Sequence, residues 1–240
     1  MNEPEGWASP KAAQRHIRVQ SDMVPGRSEA LSLIAALATA CPSTRPSFLD
    51  LGCGHGDVTA ELLKAAPEAS VTMVDFSGEM LRRAGERFVN DGRVSILKQD
   101  LNSGIPGALA ESRFDAVVSC FALHHIELEN RVKLYRQIRG VLSHDGLFIN
   151  GDRFLGESPA LGAWEFDKWV VWMTARAKER FGITKAPAEI RRCQLEMDLK
   201  LGDKPGSIWA MRDDLKQAGF AHIDCLYKNQ ITAVIVALNQ

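Results

Sequence analysis

No apolar run in this 240-residue chain is long enough to cross a bilayer; the longest, around 31–41 and 233–238, fall short of the roughly 20 residues a spanning helix needs. Mean hydropathy is -0.13, so no membrane partner is expected. Charge of one sign is equally absent: 29 Lys and Arg stand against 30 Asp and Glu, for a net charge of -1. That argues against a long basic footprint on nucleic acid and leaves room only for a local basic patch. Cysteine is sparse, and Cys41, Cys53, Cys120, Cys193 and Cys225 form no CxxC pair and no Cys/His cluster. Neither a disulfide framework nor a structural metal is expected. The opening MNEPEGWASP has no apolar stretch of the kind a signal peptide carries, so a reducing cytoplasm is the expected setting. There is no internal repeat and no low-complexity tract. The remainder, 45% hydrophobic and 25% charged, is ordinary for a globular chain with a buried core.

The organisation is that of a single domain, 1–240, read in four parts. Residues 1–10 look like a loose terminus, and 11–40 form a helical segment broken at the Val24-Pro25-Gly26 corner. Over 48–152, short apolar runs (48–51, 71–75, 94–97, 114–120, 146–149) alternate with helical stretches (57–66, 78–89, 129–141). Strands that alternate with helices imply βαβ units and a mostly parallel sheet with helices on both faces. The rhythm stops after Asp152. Residues 153–210 read as a helical cap insertion that holds Trp164, Trp169, Trp172 and Trp209, and 211–240 supply a last helix and a strand pair.

The residues that speak most directly to function are Leu49-Asp50-Leu51-Gly52-Cys53-Gly54-His55-Gly56-Asp57. A buried strand entering a glycine-rich turn and then a helix lets the backbone approach a nucleotide-like ligand. The spacing is GxGxG rather than the dinucleotide GxGxxG, and Asp57 opens the helix where a pyrophosphate would sit. A cofactor without phosphates, such as S-adenosylmethionine (SAM), fits that better. Asp50, just before the turn, is a candidate for its ammonium group. Asp75 ends the second strand, where a carboxylate accepts from ribose hydroxyls, and Asp100 follows the third, where it accepts from an adenine amino group. Each of these acids is also an ordinary cap or turn former.

The ordered set DLGCGHGD, VTMVDFSGEML, ILKQDL, FDAVVSCFALHHI and VLSHDGLFINGD resembles the class I SAM-dependent methyltransferases, and the tail from DDLKQAGF onward is similar to that family's last helix and strands. The resemblance implies a Rossmann-like seven-stranded sheet of order 3-2-1-4-5-7-6 with strand seven antiparallel. It implies that Gly52, Cys53 and Gly54 touch the methionine part of SAM, that Asp75 holds the ribose and that Phe76 packs on the adenine. It places Asp100 and Leu101 at the adenine edge and Cys120 near the sulfonium. With no basic partner in view, Cys53 and Cys120 are expected to line the pocket rather than act as nucleophiles. The Met23-Val24-Pro25-Gly26-Arg27 corner is similar to the carboxy-SAM synthase branch, which acts in tRNA wobble-uridine modification. That branch normally has Tyr where Arg27 stands; Arg27, at this corner, is expected among the cofactor-binding residues. It has an arginine where this chain has Asp214, with Arg212 nearby, and an asparagine where Cys120 stands.

Methyl transfer by in-line displacement asks for alignment and exclusion of water, and for a base only where the nucleophile carries a proton. His125 is the first candidate base, then His124; either could instead pack or cap the helix that follows. Arg153 is a candidate for an anionic group of the substrate, or equally for pairing with a carboxylate of the cap. Adjacent histidines lack the helical spacing and the further ligands of a zinc motif. The cap tryptophans are expected either to wall an aromatic pocket or to form the cap's own packing face or a dimer contact. The expected function is methylation of a small molecule. The alternatives are a carboxy-SAM synthase-like enzyme, a non-catalytic SAM-binding protein, or a reductase that binds NAD. If two copies pair, the N-terminal helices or the cap are the expected surfaces.

Overall fold

The computed structural model describes residues 22–239, so the expected loose terminus and the start of the first helical segment lie outside the described residues. Helix α1 (Arg27–Ala38) leads into strand β1 (Ser47–Leu51). Then follow α2 (Asp57–Ala65), β2 (Ser70–Asp75), α3 (Gly78–Arg87), β3 (Val94–Lys98) and β4 (Phe114–Cys120). Next come α4 (Leu128–Val141) and β5 (Leu142–Arg153), and then the cap helices α5 (Pro159–Phe181) and α6 (Pro187–Leu201). Helix α7 (Ile208–Gln217), β6 (His222–Asn229) and β7 (Thr232–Leu238) close the chain.

The seven strands form one sheet in the order β3-β2-β1-β4-β5-β7-β6, as the resemblance implies. Strands β1 to β5 pair in parallel, and β7 runs antiparallel to both β5 and β6. Side chains of successive residues point to opposite faces of a strand, so this sheet buries two cores. On one face Leu49, Leu51, Val117 and Phe148 pack under Leu134, Tyr135 and Ile138 of α4 and Leu215 of α7. On the other, Phe48, Met73, Val118 and Ile149 pack under Ile34 and Ala38 of α1 and Val58 and Leu62 of α2. Strand β5 begins four residues earlier than the sequence suggests. Leu142 already pairs with Phe114, and the register then shifts before Ala116 meets Leu147. The Ser143-His144-Asp145-Gly146 stretch lies inside that irregular start of the strand.

Two local devices set the geometry of the site. Gly26 has φ +70°, and a Cβ on it would lie 2.3 Å from the Tyr227 hydroxyl oxygen, so the Pro25-Gly26 corner passes tightly beneath β6 and delivers Arg27 to the sheet edge. The cap is bounded by helix start and stop residues. Ser158 accepts from the Leu161 amide with Pro159 next, α5 ends at Gly182, Pro187 opens α6, and Gly202 ends it. The cap docks through Phe166, Trp169, Val170 and Met173 against Ile231, while the Trp169 indole donates to the Met23 carbonyl at 3.1 Å. No described helix is long and apolar enough to cross a membrane.

Candidate active site

A cleft of about 320 Å³ opens over the carboxyl ends of β1, β2 and β4, where an open α/β sheet holds its ligands. Its floor is the glycine turn. Gly52 and Gly54 take φ of +68° and +54°. A Cβ at Gly52 would lie 2.2 Å from that of Ala122, whereas one at Gly54 would meet nothing within 4 Å. Gly52 is therefore demanded by packing, and Gly54 presents bare backbone to the open cleft. Gly56, at φ +89°, is closed in by Phe88.

Asp75 is buried, and its two oxygens accept from the Gly54 amide at 2.9 Å and the Ser77 amide at 2.8 Å. It thus ties the glycine turn to the start of α3 and keeps acceptor capacity toward the cleft. Burial raises its carboxyl above the ordinary range, against the backbone bonds that lower it. Asp100 caps the short turn Leu101–Ser103 by accepting from the Asn102 amide at 2.9 Å through one oxygen. Phe76, Asp100, Leu101, Cys53 and Cys120 all lie on the cleft wall, as does Arg27. Burial pushes both thiols up, so neither is a thiolate at neutral pH.

Two placements depart from the sequence reading. Asp50 lies off the cleft wall, wholly buried beneath the turn, with one oxygen accepting from the Thr59 hydroxyl at 2.7 Å. Its other oxygen has no hydrogen-bond partner, and burial raises its pKa to about 7. Asp57 is not a bare charge at the helix start: Arg27 at 2.7 Å, Arg87 at 2.8 Å and His55 at 3.1 Å surround it. Burial alone would raise that carboxyl, but these partners hold it far below the ordinary range. Its repulsion of a phosphate is therefore largely neutralised, and the case against a dinucleotide rests on the turn rather than on this charge. Of the two roles open to the cap tryptophans, the pocket wall is not the one taken. None of Trp164, Trp169, Trp172 and Trp209 lines the cleft. Trp169 is buried in the cap's own core beneath the Arg153 guanidinium, while Trp164 and Trp209 are exposed. The cap reaches the cleft through Leu201, Gly202 and Lys204 instead.

Of the three residues expected to act on an acceptor, only His125 lines this cleft. His124 is buried behind it, its Nδ1 2.6 Å from Asp152, whose other oxygen accepts the His124 amide at 3.1 Å. Burial lowers the His124 pKa, but the Asp152 carboxylate outweighs it and the net shift is upward. Arg153 takes the cap-pairing alternative. Its guanidinium donates to Asp198 at 2.5 and 2.9 Å and to Asp203 at 3.0 Å.

Sequence reasoning missed Asp203, Lys204, Asn102 and Phe121. Asp203 follows the cap's second helix and lies 3.2 Å from His125 Nδ1 and 3.8 Å from His124 Nε2, so the histidine pair has the third polar partner its sequence spacing lacks. Burial raises Asp203 to about 6, against the pull of His124 and Arg153. Phe121 lines the cleft at φ +53°, a conformation that a bulky residue rarely adopts and that marks a constrained site.

Comparison with known proteins agrees with this geometry. A methyltransferase domain model matches residues 48–146. The chain is similar to an uncharacterized methyltransferase of Mycobacterium tuberculosis, at 36% identity over 140 residues, covering 58% of this chain and 64% of that protein. The match therefore spans a little under two thirds of that relative's length. It is also similar to the carboxy-S-adenosyl-L-methionine synthase of Aeromonas hydrophila, at 26% identity over 210 residues, covering 85% of this chain and 79% of that one. The structure superposes on human N-acetylserotonin methyltransferase in complex with SAM with a TM-score of 0.63 at 15% identity, over 97% of this chain and 57% of that one, a likeness of fold. The matched methyltransferase domain holds the glycine turn and both acids at strand ends. Residues 48–146 are thus similar to a methyltransferase domain, and the match that runs along most of the chain is to a carboxy-SAM synthase.

Proposed function

We propose that this protein binds SAM in the cleft and methylates a small-molecule acceptor. The observation that carries the reading is the set of Gly54, Asp75 and Asp100 on one wall: an amide floor with open space above it, and two carboxylates with unused acceptor capacity beyond it. Gly52, Cys53 and Gly54 are assigned to the amino-acid end, with Arg27 facing the ligand carboxylate; the Arg27 Nε is buried without a hydrogen-bond partner. Asp75 is assigned to the ribose, and Phe76, Asp100 and Leu101 to the adenine. When bound, SAM supplies an electrophilic methyl carbon on a sulfonium, which an acceptor nucleophile takes by in-line displacement. Asp50 supports the turn from beneath rather than touching the ligand.

The acceptor is assigned to the side of the cleft bounded by Phe121, His125, Ile126, Leu201 and Lys204. His125 faces its reacting atom, with His124, Asp152 and Arg153 as positioning residues that fix the histidine turn and the cap behind it. A cleft of about 320 Å³ suits small ligands, and the near-zero net charge gives no reason to invoke nucleic acid. The carboxy-SAM synthase reading has the longer sequence match in its favour. Against it, Arg212 pairs with Asp213 on α7, and neither Arg212 nor Asp214 lines the cleft. Mass spectrometry of small molecules released from freshly purified protein tests both readings. SAM or its demethylated product is expected; carboxy-SAM would favour the synthase reading, and NAD would overturn the proposal.

A further inference from the structure

The acceptor side of the cleft holds a cluster that methyl transfer alone does not call for. His124 and His125 turn toward one oxygen of Asp203, at 3.8 Å from Nε2 and 3.2 Å from Nδ1 respectively. That oxygen is buried and accepts no hydrogen bond, although its partner oxygen is held by Arg153 at 3.0 Å. An unbonded carboxylate oxygen facing two imidazoles is costly to bury unless something positive sits between them.

We infer that His124 Nε2, His125 Nδ1 and Asp203 Oδ1 form a binding site for one divalent transition-metal ion of the zinc class, open on the side of the cleft. Four lines of geometry support it. The three ligand atoms all lie within 4.8 Å of one another. Around a tetrahedral zinc with bonds of about 2.0–2.2 Å, neighbouring ligand atoms sit roughly 3.3–3.6 Å apart, against 3.2 and 3.8 Å for the two carboxylate–imidazole pairs here. The donor set, two imidazoles and one carboxylate, is the type that takes zinc and its neighbours rather than magnesium or calcium. Second, Asp152 holds the Nδ1 of His124 at 2.6 Å, which places the proton there and leaves the Nε2 lone pair aimed at Asp203. A carboxylate behind a ligating histidine is the usual support of such sites.

Third, the charge is right. The bonded group of Asp152, Asp198, Asp203 and Arg153 carries two net negative charges when the imidazoles are neutral, which a divalent ion balances. Arg131, the other buried cation nearby, is occupied by the carbonyls of Ile126 and Lys204. The competing way to balance the charge is a proton on each histidine, and the test below separates the two. Fourth, His125 lines the cleft, as do Gly202 and Lys204 on either side of Asp203. The fourth coordination position therefore faces the acceptor side, where water or an oxygen or nitrogen donor of the acceptor would complete the shell. The inference places this ion at the acceptor end of the cleft assigned above, yet its site is built from the chain's own residues and stands or falls separately from SAM binding.

The test is calorimetric titration of tag-free, chelator-treated protein with zinc chloride. Cobalt(II) absorption gives a second readout of coordination geometry, and SAM titration checks the fold of every variant. One equivalent of zinc is expected, with a tetrahedral cobalt spectrum. Asp203→Asn and the cleft-facing His125→Gln should each weaken zinc by at least ~10-fold, and Asp152→Asn, which touches no metal, by ~10–100-fold. Asp203→Asn and Asp152→Asn, whose side chains lie off the cleft wall, should retain the SAM affinity of the wild type. Absence of zinc and cobalt binding in protein that binds SAM overturns the metal site and leaves the methyltransferase reading standing. Zinc binding unchanged by all three substitutions also overturns it. Zinc binding with the predicted losses, in protein that ignores SAM, upholds the site and overturns the proposed function.

Discussion

Replacing Asp50 by Asn should make the protein relatively more stable at alkaline pH, by an amount the structure sets. Asp50 is wholly buried, one oxygen takes the Thr59 hydroxyl, and the other has no partner. Burial, outweighing that hydrogen bond, raises its pKa from 3.8 to about 7 in the folded chain. A carboxyl raised on folding favours the native state fully below its unfolded value, and the advantage is lost as pH rises through the folded one. Between pH 5 and pH 9 the wild type should give up about 3 kcal/mol through this group alone, an upper figure for a fixed structure. Asparagine accepts from Thr59 in the same way but does not titrate. Its buried amide costs about 1–3 kcal/mol at every pH. Urea unfolding of both proteins at pH 5 and pH 9 gives a double difference from which that constant cost, and every other titrating group, cancels. The variant should gain roughly 2–3 kcal/mol on the wild type across this range. A double difference near zero, or one of opposite sign, would refute the claim that burial under the turn raises the pKa of the Asp50 carboxyl to about 7.

Further outcomes follow from the same geometry. Asp75→Ala should weaken SAM binding at least tenfold by calorimetry, because it removes both the ribose acceptor and the brace on the Gly54 amide; unchanged affinity would displace the cofactor. Gly52→Ala should destabilise the fold, since its Cβ meets that of Ala122 at 2.2 Å; Gly54→Ala, strained by its φ of +54° but free of a clash, should destabilise it less and weaken SAM binding. Arg153→Met leaves two cap carboxylates without their buried partner and should cost about 3–5 kcal/mol in urea unfolding, against no more than ~0.5 kcal/mol for the exposed Trp164→Ala.

Much of this site could be read along the chain because its parts are local. The glycine turn, Asp75 and Asp100 each sit at the end of an apolar run, and strand ends fall on one edge of a parallel sheet. The run of single-residue signals stops at the cap. Asp203 comes 78 residues after His125, and nothing in Leu201-Gly202-Asp203-Lys204 announces that a helix stop returns the chain to the histidines. For the cap tryptophans the sequence left two roles open, pocket wall or packing face. Aromatic side chains look like pocket walls in a sequence, but Trp169 is held in the cap's own core by its bond to the Met23 carbonyl and its stack beneath Arg153. Asp57 misled because its three basic partners come from three places: the corner at Arg27, the turn at His55 and the end of α3 at Arg87. Charge that is neutralised by folding is invisible to spacing.

The central claim, that the cleft over β1, β2 and β4 is built for SAM, is tested most directly by calorimetric titration of the purified chain with SAM, its demethylated product and NAD. One site with micromolar or tighter affinity for SAM and its product, and no heat with NAD, is the result expected here. Binding of NAD with no response to SAM would contradict it.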